Sequence, residues 1–161
     1  MTAIADTLNR EEVIGKNGSV KLTEACSGKY IGLYFSGVWC PPCRDFTCSL
    51  KRFYENFHDK IEIIFISWDY DVEDFNDYYE DMPWLALPYS DRETKERLCR
   101  QYDVIGTPRL VILRDDGSIV SLNARKQIIA DTESVPRQLG IRHCQRQKSS
   151  QLDRSPISHS K

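Results

Sequence analysis

Five consecutive residues, Trp39-Cys40-Pro41-Pro42-Cys43, hold the most readable chemistry in this chain. Two thiols separated by two residues can close a strained ring, which suits them to thiol–disulfide exchange. The thiolate is the reactive form of cysteine. It is stabilised where unpaired backbone amides and the positive end of a helix dipole meet it. The segment lies where an apolar run ends and a helical pattern begins, so Cys40 falls at that helix end. Cys40 is the expected attacking thiol. Cys43, one turn further in, is placed to resolve a mixed disulfide formed at Cys40.

Other uses of the pair fit less well. Half of a zinc site would need two further ligands. No second Cys-x-x-Cys exists, and His58, His143 and His159 have no matching spacing, so no metal is expected. No glycine-rich phosphate loop is present either, so no cofactor is expected. The flanking tryptophan and prolines place the pair in a surface turn rather than in the core. Cys48 and Cys99 read as small buried hydrophobes. Cys26 and Cys144 fall in loop and tail with no assigned role.

Elements that would position the pair follow from periodicity. Residues 30–36, YIGLYFS, are an apolar run of the kind buried on both faces of a sheet. From Pro41, the residues Cys43, Phe46, Thr47, Leu50, Phe53, Tyr54 and Phe57 recur at three- and four-residue steps and predict a helix. Pro41 and Pro42 fit its first turn, where missing amide donors cost nothing. Residues 61–68, IEIIFISW, predict a second buried strand. Val72 to Met82 reads as an amphipathic helix stopped by Pro83. Ser90 and Glu93 read as a capping box opening another helix that runs to about Tyr102. Residues 109–114 are a strand, turned by Asp116-Gly117 into a weaker hairpin partner. Upstream, Asn17-Gly18 marks an N-terminal hairpin within residues 11–22. The order implies an α/β domain, a central mixed β-sheet flanked by helices.

The chain has 161 residues and a formal net charge of −2, which argues against a nucleic-acid partner. No apolar run reaches membrane-spanning length, so no membrane partner is expected. The first ten residues lack an apolar signal core, and a cytoplasmic location is expected, with the nucleus as the other possibility. Residues 1–10 read as a flexible N-terminus and 11–140 as the folded domain. Residues 141–161 read as a basic, disordered tail: Arg142, Arg146, Lys148, Arg154 and Lys161 face one acid, Asp153.

Three segments together, LYFSGVWCPPCRDFT (33–47), FISWDYDVEDFNDYYEDMPWLALPYSDR (65–92) and the stretch from Tyr102 to Ala130, resemble the thioredoxin superfamily. More narrowly they are similar to its tryparedoxin and nucleoredoxin group, over about residues 19–131. The resemblance implies a thioredoxin fold, a redox-active Cys40–Cys43 disulfide and protein-disulfide reductase activity. It also implies a cis-proline at Pro108, with the Thr107 backbone turned toward Cys40 to bind an extended substrate segment. Arg109 stands where members often have threonine, beside the docking groove. Tyr34 replaces a buried acid found in many thioredoxins, so proton transfer for Cys43 would need water or another group. Trp39 is expected on the substrate surface. Arg44, in the helix's first turn near both thiols, is expected to be a supporting cation. Trp68, Asp69 and Trp84 belong to the family-like segment, and Trp84 reads as packing around the second strand.

The leading reading is a monomeric thiol–disulfide oxidoreductase. Its expected partners are disulfide-containing proteins and an upstream dithiol or flavoprotein reductase. The alternative is a redox-sensitive binding module of nucleoredoxin type that regulates a signalling partner.

Overall fold

The computed structural model of the chain describes residues 2–130. The two apolar runs become β3 (Tyr30–Ser36) and β4 (Ile61–Ser67), paired in parallel from Tyr30↔Ile61 to Ser36↔Ser67. Every residue of β4 is buried, and β3 is buried beyond Tyr30. Their alternate side chains therefore feed two cores. The crossover between them is α3 (Pro41–Phe57), whose apolar stripe buries Phe46, Leu50, Phe53 and Phe57. Each such side chain contributes about 1.5–3 kcal/mol on leaving water.

Around this unit the sheet extends to seven strands in the order β2-β1-β5-β4-β3-β6-β7. The N-terminal hairpin is β1 (Glu12–Gly15) and β2 (Gly18–Lys21), with Gly15 opposite Gly18. The turn residues are thus Lys16 and Asn17, followed by Gly18 at a φ of 121°, which glycine adopts freely. β6 (Arg109–Leu113) runs antiparallel to β3, and β7 (Ile119–Ser121) closes that edge. Residues of α3, α4 (Val72–Glu80) and α6 (Arg125–Ala130) share one core with Tyr34, Phe65 and Trp84. Residues of α1 (Ala3–Leu8) and α5 (Arg92–Gln101) share the other with Ile31, Leu33 and Phe35.

Several expectations are corrected. Within the stretch 1–10 expected to be flexible, residues 3–8 form a docked helix. α1 is capped by the Thr2 hydroxyl and buries Ile4, Ala5 and Leu8, so apolar burial outweighs the ordering entropy of a short helix. The N-cap of α5 is Asp91, whose carboxylate accepts the Thr94 amide at 3.1 Å, and not Ser90. α4 ends at Glu80, before Pro83 is reached, and Met82 is buried beyond it. β5 (Leu85–Ala86) and α2 (Leu22–Ala25), too short to show a period, join the N-terminal hairpin to β4 and to α1 respectively. The expected tail, residues 141–161, lies outside the described residues.

Candidate active site

The carboxyl ends of β3 and β4 are where the chain leaves the buried sheet. Both strands end in serine, Ser36 and Ser67, side by side in register. From Ser36 the chain passes through Gly37, Val38 and Trp39 to Cys40, the N-cap of α3. The Cys40 carbonyl accepts the amides of Cys43 at 3.0 Å and Arg44 at 3.2 Å. Pro41 and Pro42 occupy the first two helical positions and are exposed. The cysteine pair thus sits on the first turn of α3.

Cys40 is 6% exposed and Cys43 fully buried. The Cys40 thiol donates to the Thr107 carbonyl at 3.8 Å. The Thr107–Pro108 bond is cis, and Pro108 is buried. Burial pushes the Cys43 thiol above the ordinary cysteine value, and a hydrogen bond with Cys40 pushes the same way. Hydrogen bonds from Thr107, the Gly37 backbone and Ser36 act in the opposite direction.

Beneath the pair lies a chain of buried hydroxyls. The Tyr34 hydroxyl lies 2.6 Å from Thr47 Oγ1 and donates to the Cys43 carbonyl at 3.2 Å. Thr47 Oγ1 also donates to that carbonyl, at 2.9 Å, and is 2.7 Å from the Tyr78 hydroxyl. Tyr78 in turn is 2.9 Å from Ser36 Oγ. Burial raises the titration of both tyrosines, so they stay neutral donors at physiological pH. Where a carboxylate stands in many thioredoxins, this chain has an uncharged network that ties the first turn of α3 to β3.

Trp39 is 44% exposed. Its indole N–H donates to the Trp68 carbonyl at 2.9 Å, and its ring stacks on Tyr70 at 5.5 Å. A side chain at Gly37 would collide with that indole. Tyr70 and Ile105 are strongly exposed. Arg44 is exposed. Arg109 is half-buried, and its guanidinium donates to the Leu122 carbonyl at 3.5 Å. Of the other cysteines, Cys99 is buried as expected, but Cys48 is exposed, on the outer face of α3. Trp84 is buried between Tyr34 and Tyr54, in the packing role expected of it.

Ser36, Gly37, Thr47 and Tyr78 were not legible as site residues. One signal was available: the apolar stretches of β3 and β4 both give way to a serine, and a polar residue closing a buried strand marks where the chain turns into a site. Among the described residues no group of three or more His, Cys, Asp or Glu side chains is placed to hold a metal. No helix among them is long and apolar enough to cross a membrane.

A cysteine pair opening a helix at the end of a central strand, faced by a cis-proline, defines a thioredoxin-type redox protein. The Thioredoxin-like family model matches residues 28–119, and the chain belongs to that family of thiol oxidoreductases. It is 43% identical over 126 residues to tryparedoxin of Trypanosoma brucei brucei, covering 76% of this chain and 87% of that one. It is 37% identical over 124 residues to nucleoredoxin of Xenopus laevis, covering 75% of this chain but only 30% of that longer protein. The solved tryparedoxin from Trypanosoma brucei superposes with a TM-score of 0.77 at 42% identity, covering 81% of this chain and 93% of it. A tryparedoxin II solved with glutathionylspermidine gives a TM-score of 0.77 at 38% identity, covering 82% and 94%.

Proposed function

We propose that this chain reduces protein disulfides through Cys40 and Cys43. The Cys40 thiolate attacks one sulfur of the substrate disulfide, and the other sulfur leaves as a thiolate that takes up a proton. Cys43 then loses its proton and attacks Cys40 Sγ. The Cys40–Cys43 disulfide forms and the second substrate thiol is released, so two electrons pass to the substrate. An upstream dithiol or a flavoprotein reductase returns them. A small thiol of the kind bound by the tryparedoxin II relative is one donor of suitable chemistry. The chain is proposed to act as a monomer in the cytoplasm or nucleus.

One observation carries this reading: the more exposed cysteine of the pair caps α3, and the fully buried one lies a single turn inside it. The two side chains are close enough to hydrogen-bond to each other. Trp39 and the Thr107–Pro108 backbone would form the docking surface, with Arg109 at its edge and Arg44, Tyr34, Pro41 and Pro42 in support.

Insulin-disulfide reduction with dithiothreitol as donor tests the reading. Wild type is expected to accelerate precipitation of the insulin B chain, and Cys40→Ser to run at the rate of dithiothreitol alone. Equal rates for the two proteins would sink it. A redox-sensitive binding module is favoured only by the exposed, stacked pair Trp39 and Tyr70. A partner retained by Cys40→Ser, with no reductase activity in wild type, would establish that alternative.

A further inference from the structure

We propose that Asp69 is the positioning residue of this site, its buried carboxylate fixing the loop that delivers Cys40 to the start of α3. The proposal rests on the thiol-exchange reading above.

Asp69 is 5% exposed and takes no part in the exchange chemistry. A buried carboxylate is expensive unless its oxygens are satisfied. Here one oxygen accepts the Val38 amide at 2.7 Å, and the other accepts the Ser67 hydroxyl at 2.6 Å. Ser67 Oγ in turn accepts the Asp69 amide at 2.9 Å. Charge-assisted bonds of this length are strong. Val38 lies two residues before Cys40, in the connection between β3 and α3. Its half-buried amide needs an acceptor, and the carboxylate supplies one.

The neighbours of Asp69 act on the same loop. The Trp68 amide donates to the Ser36 carbonyl at 2.8 Å. The Trp68 carbonyl receives the Trp39 indole, and the Tyr70 ring stacks on it. Four consecutive residues, 67–70, thus face residues 36–39. The segment is itself anchored from behind. Arg92 donates to the Ser67 carbonyl at 2.7 Å, and the Tyr89 hydroxyl donates to the Asp69 carbonyl at 3.0 Å. Asp69 is the one member of this strap whose side chain reaches a loop amide. Burial raises its carboxyl above the ordinary aspartate value, and the bonds from Ser67 and Val38 and the charge of Arg92 oppose that.

Positioning and charge can be separated by substitution. Asp69→Asn keeps an oxygen for the Val38 amide and discards the charge. Asp69→Ala discards both. The readouts are insulin reduction and the alkylation rate of Cys40, followed by tandem mass spectrometry well below each variant's melting temperature. A small displacement of a reacting group costs a large factor in rate. Asp69→Ala is expected to slow Cys40 alkylation and insulin reduction by roughly tenfold, while Asp69→Asn stays within about twofold of wild type. An unchanged rate in Asp69→Ala would overturn the proposal. So would an Asp69→Asn variant as slow as Asp69→Ala, because charge rather than the acceptor would then matter. If Asp69→Ala does not fold, Ser67→Ala leaves the carboxylate but removes the hydroxyl that orients it. A several-fold loss there, with Asp69→Asn active, supports positioning, and wild-type rates overturn it. Wild type that fails to reduce insulin would remove the reductase reading alone. The alkylation rates would still decide the role of Asp69.

Discussion

Two buried thiols sit at opposite kinds of helix end, and their surroundings diverge. Cys40, 6% exposed, is the N-cap of α3, where the positive end of the helix dipole lies. Cys26, 4% exposed, is the C-cap of α2, with Glu62, Lys29 and Tyr54 near it. Tyr54, in the last turn of α3, donates to Glu62 Oε1 at 2.9 Å, and Lys29 lies 3.9 Å from the other oxygen. Burial, with the Glu62 charge adding to it, pushes the Cys26 thiol up to about 12. The two cysteines have nearly the same exposure, so burial does not separate them. What differs is which end of a helix each residue caps and that a carboxylate lies beside Cys26.

Exchanging the roles of the two thiols would break this comparison, and the largest effect is expected at Cys40. Cys40→Ser should lower enzyme-dependent disulfide reduction by roughly 1000-fold or more, as loss of a nucleophile does. Cys26→Ala should leave turnover within about twofold of wild type. Insulin reduction measures both. A Cys26 variant that loses turnover while remaining folded would remove the distinction.

Leu8→Ala probes the scaffold rather than the thiols. Leu8 is fully buried on the face opposite α3, and its truncation should cost about 2–5 kcal/mol, read by urea denaturation. A loss near zero would mean that α1 does not dock as described.

Glu62 gives a pH signature confined to the surroundings of Cys26. Burial raises its carboxyl above the ordinary value of 4.5. The folded chain therefore holds a proton that the unfolded chain has released, and stability falls as pH rises through that interval. Glu62→Gln mimics the protonated form and can still accept the Tyr54 hydroxyl. It should raise the melting temperature at pH 7, with the gain fading to nothing below about pH 4. A gain that persists at acidic pH would point to packing instead. The smallest effect is expected from deleting residues 142–161, which should leave reductase activity near wild type, because every group invoked in the exchange lies between Tyr34 and Arg109.

Much of this arrangement could be read before any coordinates. The redox pair, its helix and the two buried strands rest on strong local signals: Cys-x-x-Cys spacing, proline at a helix start and runs rich in apolar residues. α1 was missed because six residues carry too little periodicity, and its Ile4 and Leu8 declare themselves only once the sheet gives them a surface. The Asp91 cap was misread as Ser90 because adjacent cap-forming residues differ only in backbone conformation. The strap of residues 67–70 was illegible for a different reason. Its bonds to residues 36–39 span about thirty positions of sequence, and they exist only because Ser36 and Ser67 share a register. Asp69, in sequence, is one acid among several that follow an apolar run.

The order of attack is tested most directly by trapping. Cys43→Ser, reduced and mixed with oxidised insulin, lacks the thiol that would resolve the intermediate. The expected product is one covalent insulin adduct, mapped by tandem mass spectrometry to Cys40, with the reciprocal Cys40→Ser variant giving none. An adduct at Cys48 or Cys26, or one formed equally well by Cys40→Ser, would contradict the assignment of Cys40 as the attacking thiol.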